Sequence, residues 1–198
     1  MRPDSHRNSA ETGVVGRCRW RRTSSRCARG APEPTGPGTS AELPEGAGRD
    51  APALLRPRHE FLSWLGVEVE ELGEGRAVMS IPYQSKLTNV PWQGAVEGER
   101  HPIQGGVAST LIDVVGGIAL RPYLDDPLKD GMATINLNVN YLHPAAGDLR
   151  AEAEVVRAGG SVGVSEGVVT GKVPGDGEEA VAHGTGAYRL FRGGDGED

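Results

Sequence analysis

The chain of 198 residues carries a formal net charge of −6, with 37% hydrophobic and 5% aromatic residues, 30 glycines, 14 prolines and two cysteines. Its length suits one domain of roughly 150 residues with additions. No apolar run approaches the ~18 residues a membrane-spanning helix needs, and two cysteines exclude a disulfide scaffold.

Charge is unevenly spread. Residues 1–50 hold nine arginines against six acids, which leaves 12 basic and 21 acidic residues in the remainder. An acidic body argues against nucleic acid as a partner. Both cysteines, Cys18 and Cys27, precede the body, so it offers neither a Cys nucleophile nor a Cys-ligated metal. No grouping of His and Cys has metal-ligand spacing, and neither a metal nor a cofactor is expected.

Residues 1–52 read as a disordered extension, with an Arg/Ser-rich stretch followed by a Pro/Gly/acid linker. A start codon assigned too far upstream and an Arg-rich arm are the competing readings. The stretch lacks the apolar region of a secretory signal, and the expected location is cytoplasmic. The folded domain is expected over residues 53–192, with 193–198 a frayed tail.

Pro57, at a preferred first-turn position, opens a short apolar helix containing Phe61, Leu62, Trp64 and Leu65, with Gly66 as its stop. Residues 67–72 alternate apolar and acidic and read as a strand with one wet face. They form a hairpin with a second strand over 76–83, where Pro82 marks an edge or a strand end. Residues 84–104 form a long loop, a length usually reserved for function. A long helix over 105–121, closed by Pro122, is followed by strands at 132–142, 149–157, 162–172 and 180–191. Short turns between the strands argue for an antiparallel sheet and an α+β fold.

The long helix carries the chemistry. At ~100° per residue, Val107, Leu111, Val114, Val115 and Ile118 fall on one stripe suited to a sheet. Asp113 lies about 240° round from Val107, on a face shared with Ser109, Gly106, Gly116 and Gly117. Glycine in a helix costs up to ~1 kcal/mol relative to Ala, so this face suggests close approach by another backbone or a ligand. Asp113 is then either a functional carboxylate or the solvent-facing residue of an amphipathic helix. Gly105 and Gly106 open the helix with bare N–H groups at the positive end of its dipole, ready for an oxyanion. Asp113 is eight residues further on, about 12 Å at ~1.5 Å per residue. One helix therefore cannot easily supply both groups to one reacting carbonyl, whereas two helices related by a two-fold axis can.

The segments IQGGVASTLIDVVGGIAL, ATINLNVNYLHPAAGDLRAEAEVVRAGG and EEAVAHGTGAYRLF, in that order, resemble the hotdog-fold acyl-CoA thioesterases of the PaaI-like (4-hydroxybenzoyl-CoA thioesterase) superfamily. The resemblance spans residues 57–191. It implies a curved antiparallel sheet around one long helix, and a homodimer or homotetramer that hydrolyses acyl-CoA between subunits. It implies catalytic roles for Gly105 as oxyanion donor, for Asp113 of the other subunit as general base or nucleophile, and for Thr134 in orienting water. An ordinary strand threonine is the other reading of Thr134. Asn89, Gln104 and Gly106 are implied in substrate binding. Gln104 stands where the family usually has His; it can donate a hydrogen bond but carries no titratable proton. His101, three residues earlier, is either a substitute or an exposed loop histidine, while His143 and His183 suit structural roles. Two alternatives remain: a weakly catalytic or non-catalytic module that binds acyl thioesters, and a hydratase or dehydratase, which lacks its expected His before the helix.

Overall fold

The computed structural model describes residues 59–73, 75–89 and 100–192. The expectations for residues 1–52 and 193–198 lie outside the described residues. The elements follow in chain order: α1 (Glu60–Leu65), β1 (Glu68–Gly73), β2 (Arg76–Ile81), α2 (Gly105–Ala119), β3 (Gly131–Tyr141), β4 (Leu149–Ala158), β5 (Val162–Val173) and β6 (Gly177–Phe191). Single 3-10 turns lie at Ser85–Leu87 and Arg121–Tyr123. The strands make one antiparallel sheet in the order β1-β2-β4-β5-β6-β3. The sheet packs along α2, which is the α+β hotdog architecture.

Helix α1 stops at Gly66, whose left-handed φ of 78° would strain any residue with a Cβ. Only Leu62 and Leu65 of its apolar residues are buried, while Phe61 and Trp64 stack on each other on the exposed side. Pro82 follows the end of β2, a strand paired on both sides, so it marks a strand end and not a sheet edge. The long helix ends at Ala119, and Pro122 belongs to the 3-10 turn beyond it.

The core lies between α2 and the inner face of the sheet. Leu111, Ile112, Val115 and Ile118 meet Ala77, Met79, Leu149, Ala151 and Val169 there. Ile112 lies over paired glycines, Gly167 of β5 and Gly184 of β6, which lets the helix sit close to the sheet. Burying a side chain of that size contributes roughly 1.5–3 kcal/mol.

The glycines on the second helix face have a different use from the expected one. A Cβ on Gly116 would collide with the hydroxyls of Ser165 and Tyr188, and one on Gly117 would touch Met132 and Tyr188. The close approach at these two positions comes from the chain's own β3, β5 and β6. Gly105 likewise faces the ring of Tyr141, and Gly106 the side chain of Gln104.

Strand β3 is an outer strand, paired only with β6 among the described residues. A bulge at Ile135 interrupts that pairing: Thr134 lies opposite Tyr188, and Asn136 opposite Ala187. Before the bulge Met132 and Thr134 face inward, and after it Leu137, Val139 and Tyr141 do, because each pairs with an inward residue of β6. Ile135 is left 59% exposed.

Candidate active site

The two ends of the long loop are tied together beside the start of α2. Thr88 and Ile103 form an isolated antiparallel bridge. Asn89 N–H donates to the Pro102 carbonyl at 2.9 Å, and Gln104 N–H to that of Leu87 at 2.9 Å. This brings Asn89 to the helix N-terminus across residues 90–99, which are not among those described.

Gln104 is the N-cap of α2. Its side-chain oxygen accepts the Gly106 N–H at 2.5 Å, and its carbonyl accepts the Val107 N–H at 2.9 Å. Side-chain oxygens at this position satisfy one of the orphan donors of a helix start. Gly106 N–H is thus already engaged. Among the described residues none accepts from Gly105 N–H, which leaves that donor at the positive end of the helix.

Asn89, Gln104 and Gly105 share the rim of one pocket of about 340 Å³. Ile103, Ala108, Leu149 and Val181 give it an apolar floor, and Tyr141, Leu142 and His143 close the side formed by the end of β3. His143 lies just beyond the end of β3, not in a strand as expected, and is exposed, while His183 lies in β6 and projects from its outer face. His101 is half-buried, and its carbonyl accepts from the Tyr83 hydroxyl at 3.1 Å.

Asp113 and Thr134 form a second group, away from that pocket. Thr134 Oγ1 donates to Asp113 Oδ1 at 2.7 Å, and the carboxylate is partly exposed. Asp113 is also held through its backbone: the Tyr188 hydroxyl donates to its carbonyl at 2.9 Å. Burial pushes the Tyr188 phenol up to about 12, against a hydrogen bond from Ser165 that lowers it, and the charge of Asp113 adds to the upward shift. The phenol is therefore a neutral donor at any physiological pH.

Tyr141 and Tyr188 were not singled out from the sequence. The signal for Tyr188 lies in the alternation of β6, where Gly186 precedes it on the same face and leaves the space that its ring fills.

No helix among the described residues is long and apolar enough to cross a membrane. Among them there is also no cluster of His, Cys, Asp and Glu able to hold a metal.

Comparison with known proteins agrees with this geometry. The Thioesterase superfamily model matches residues 103–176, from the residue before the helix N-cap to the turn after β5. A provisionally named esterase of Halobacterium salinarum is 49% identical over 148 residues, covering 72% of this chain and 94% of its own length. A similarly named protein of Saccharolobus solfataricus is 31% identical over 114 residues, covering 57% of this chain and 73% of its own. The crystal structure of a thioesterase family protein from Silicibacter pomeroyi superposes with a TM-score of 0.58 at 26% identity, covering 75% of this chain and 98% of that one. Fold, helix start and sequence together show that the chain belongs to the thioesterase superfamily.

Proposed function

We propose that the protein hydrolyses an acyl-CoA thioester to the free acid and CoA, at a site completed by a second copy of the chain. The observation that carries this reading is the separation of the two polar groups on α2. The free Gly105 N–H and its pocket lie at the start of the helix, and the Asp113–Thr134 pair lies eight residues along it, about 12 Å away at ~1.5 Å per residue.

A second copy resolves the separation. Among the described residues, strand β3 has an open edge without a single charged side chain, the kind of edge that pairs with another strand. Antiparallel pairing of two β3 strands over their full length sets residue 141 of one beside residue 131 of the other. The Tyr141 wall of one pocket then approaches the partner's Asp113–Thr134 pair. The site would form twice in the dimer, and a tetramer would repeat it.

The chemistry follows from the groups. Gly105 N–H polarises the thioester carbonyl and stabilises the oxyanion of the tetrahedral intermediate. In this reading Asn89 and the amide N–H2 of Gln104, on the rim of the same pocket, orient the same oxygen. Asp113, with Oδ1 engaged by Thr134, takes a proton from water as the water attacks the carbonyl carbon, or attacks that carbon itself to give an acyl-aspartyl anhydride that water then hydrolyses to the free acid. Collapse of the intermediate breaks the C–S bond, and the thiolate leaves and is protonated. The apolar pocket floor suits an acyl group. CoA thioesters are intracellular, so the proposed place of action is the cytoplasm.

Asp113→Asn is expected to cut acyl-CoA turnover about 100-fold or more, with the oligomer intact by sedimentation. Turnover near the wild-type rate would sink the assignment. A second reading, a module that binds acyl thioesters without hydrolysing them, is favoured by the commitment of Gln104 to capping Gly106. A wild type that binds acyl-CoA without turnover would support it.

A further inference from the structure

We propose that Tyr188 is a positioning residue for the reaction: its hydroxyl fixes the turn of α2 that carries Asp113, and Ser165 fixes the hydroxyl. This rests on the hydrolase reading given above.

Four features make the arrangement specific. First, the Tyr188 side chain is 2% exposed, yet its hydroxyl reaches the helix backbone at the functional carboxylate, donating to the Asp113 carbonyl at 2.9 Å. In a regular helix that carbonyl already accepts from the residue four places on, so this bond is an addition and does not rescue an orphan acceptor. Second, the path to the carbonyl is cleared. A Cβ on Gly116 or on Gly186 would collide with the Tyr188 ring or hydroxyl. Third, Ser165, itself 1% exposed, brings its hydroxyl to the same spot as that of Tyr188, over Gly116, where a Cβ would collide with both. Fourth, Tyr188 and Thr134 are register partners across β6 and β3. Thr134 holds the Asp113 carboxylate and Tyr188 holds the Asp113 backbone. Two neighbours in the sheet thus grip one residue of the helix at both ends.

A carboxylate that must meet a carbonyl in another subunit loses rate steeply with small displacements. Fixing its backbone through the sheet, which also carries the dimer edge, ties its position to the frame in which the partner's pocket is placed.

The test uses the full chain, steady-state kinetics on a panel of acyl-CoAs, and thermal melts. Tyr188→Phe removes only the hydroxyl and keeps the ring in its glycine slot. It is expected to lower kcat about tenfold with KM within twofold and the oligomer intact. Ser165→Ala, which frees the phenol to turn, is expected to lower kcat about threefold, and the double variant to resemble Tyr188→Phe alone. A purely structural tyrosine would lower the melting temperature and leave kcat of the folded enzyme unchanged, and that result overturns the proposal. Independent, multiplicative losses in the double variant would also overturn it. Asp113→Asn separates the two levels. If it abolishes turnover while Tyr188→Phe does not slow it, hydrolysis stands and the positioning role falls. If Asp113→Asn turns over normally, the hydrolase assignment itself falls.

Discussion

Gly116 shows how much of a functional helix is decided by what cannot be there. Its missing Cβ leaves room for the hydroxyls of Ser165 and Tyr188. Gly116→Ala is expected to destabilise the fold by about 1–3 kcal/mol, the usual cost of overpacking a filled core, read as a lower denaturant midpoint. The control is Gly160→Ala, where a Cβ meets nothing within 4 Å and the midpoint should stay or rise slightly. The sequence made the glycines of this face conspicuous, but not the identity of their neighbour. Periodicity describes which way a residue points along its own helix; it does not say which strand lies opposite. Asp113 was legible because it departs from the apolar stripe. The capping by Gln104 was hidden, since a glutamine before a Gly-Gly pair reads equally well as a substrate contact.

The elements were the most legible level. Alternation, turn residues and the Gly66 stop yielded both helices and all six strands, because each signal is local. The bulge in β3 was not legible. Ile135, Leu137, Val139 and Tyr141 make an unbroken alternation that, taken literally, sends Ile135 inward and Thr134 out. The structure has the reverse at both positions. Pairing with β6 overrides the local pattern, and only the partner strand carries that information. Ion pairs also join elements here. Arg76 of β2 meets Glu71 of β1 and Glu152 of β4, and Arg150 meets Glu70 and Glu152. The Arg76 side chain hydrogen-bonds Glu152 and holds its carboxyl below its usual 4.5. A depressed carboxylate stabilises the fold above its unfolded value, and that contribution disappears as the pH falls through the folded value. Glu152→Gln should therefore lower the melting temperature at neutrality and change it little well below pH 4.5, where the wild type has lost the same contribution, so that the fall with acid is flatter. The side chain is 32% exposed, which limits the effect to about 1 kcal/mol or less.

At the scale of the whole molecule, the proposed site needs two copies of the chain. Specific activity should therefore fall on dilution, with a midpoint that matches dimer dissociation followed by sedimentation; a constant specific activity through dissociation would contradict the shared site. The bulge at Ile135 gains its meaning at this scale. It acts as a phase shift of one residue in a repeat of two. On its far side Leu137, Val139 and Tyr141 face the core and the pocket, and on its near side Thr134 faces Asp113. Were Ile135 paired as an ordinary strand residue and not bulged out, one of those two sets would turn its back on the helix. Deletion of Ile135 would leave Thr134 opposite Tyr188 and Asn136 opposite Ala187 in an unbroken ladder, so both sets would keep their facing. The bulge thus swallows the one residue that would otherwise put the chemistry out of step with the architecture.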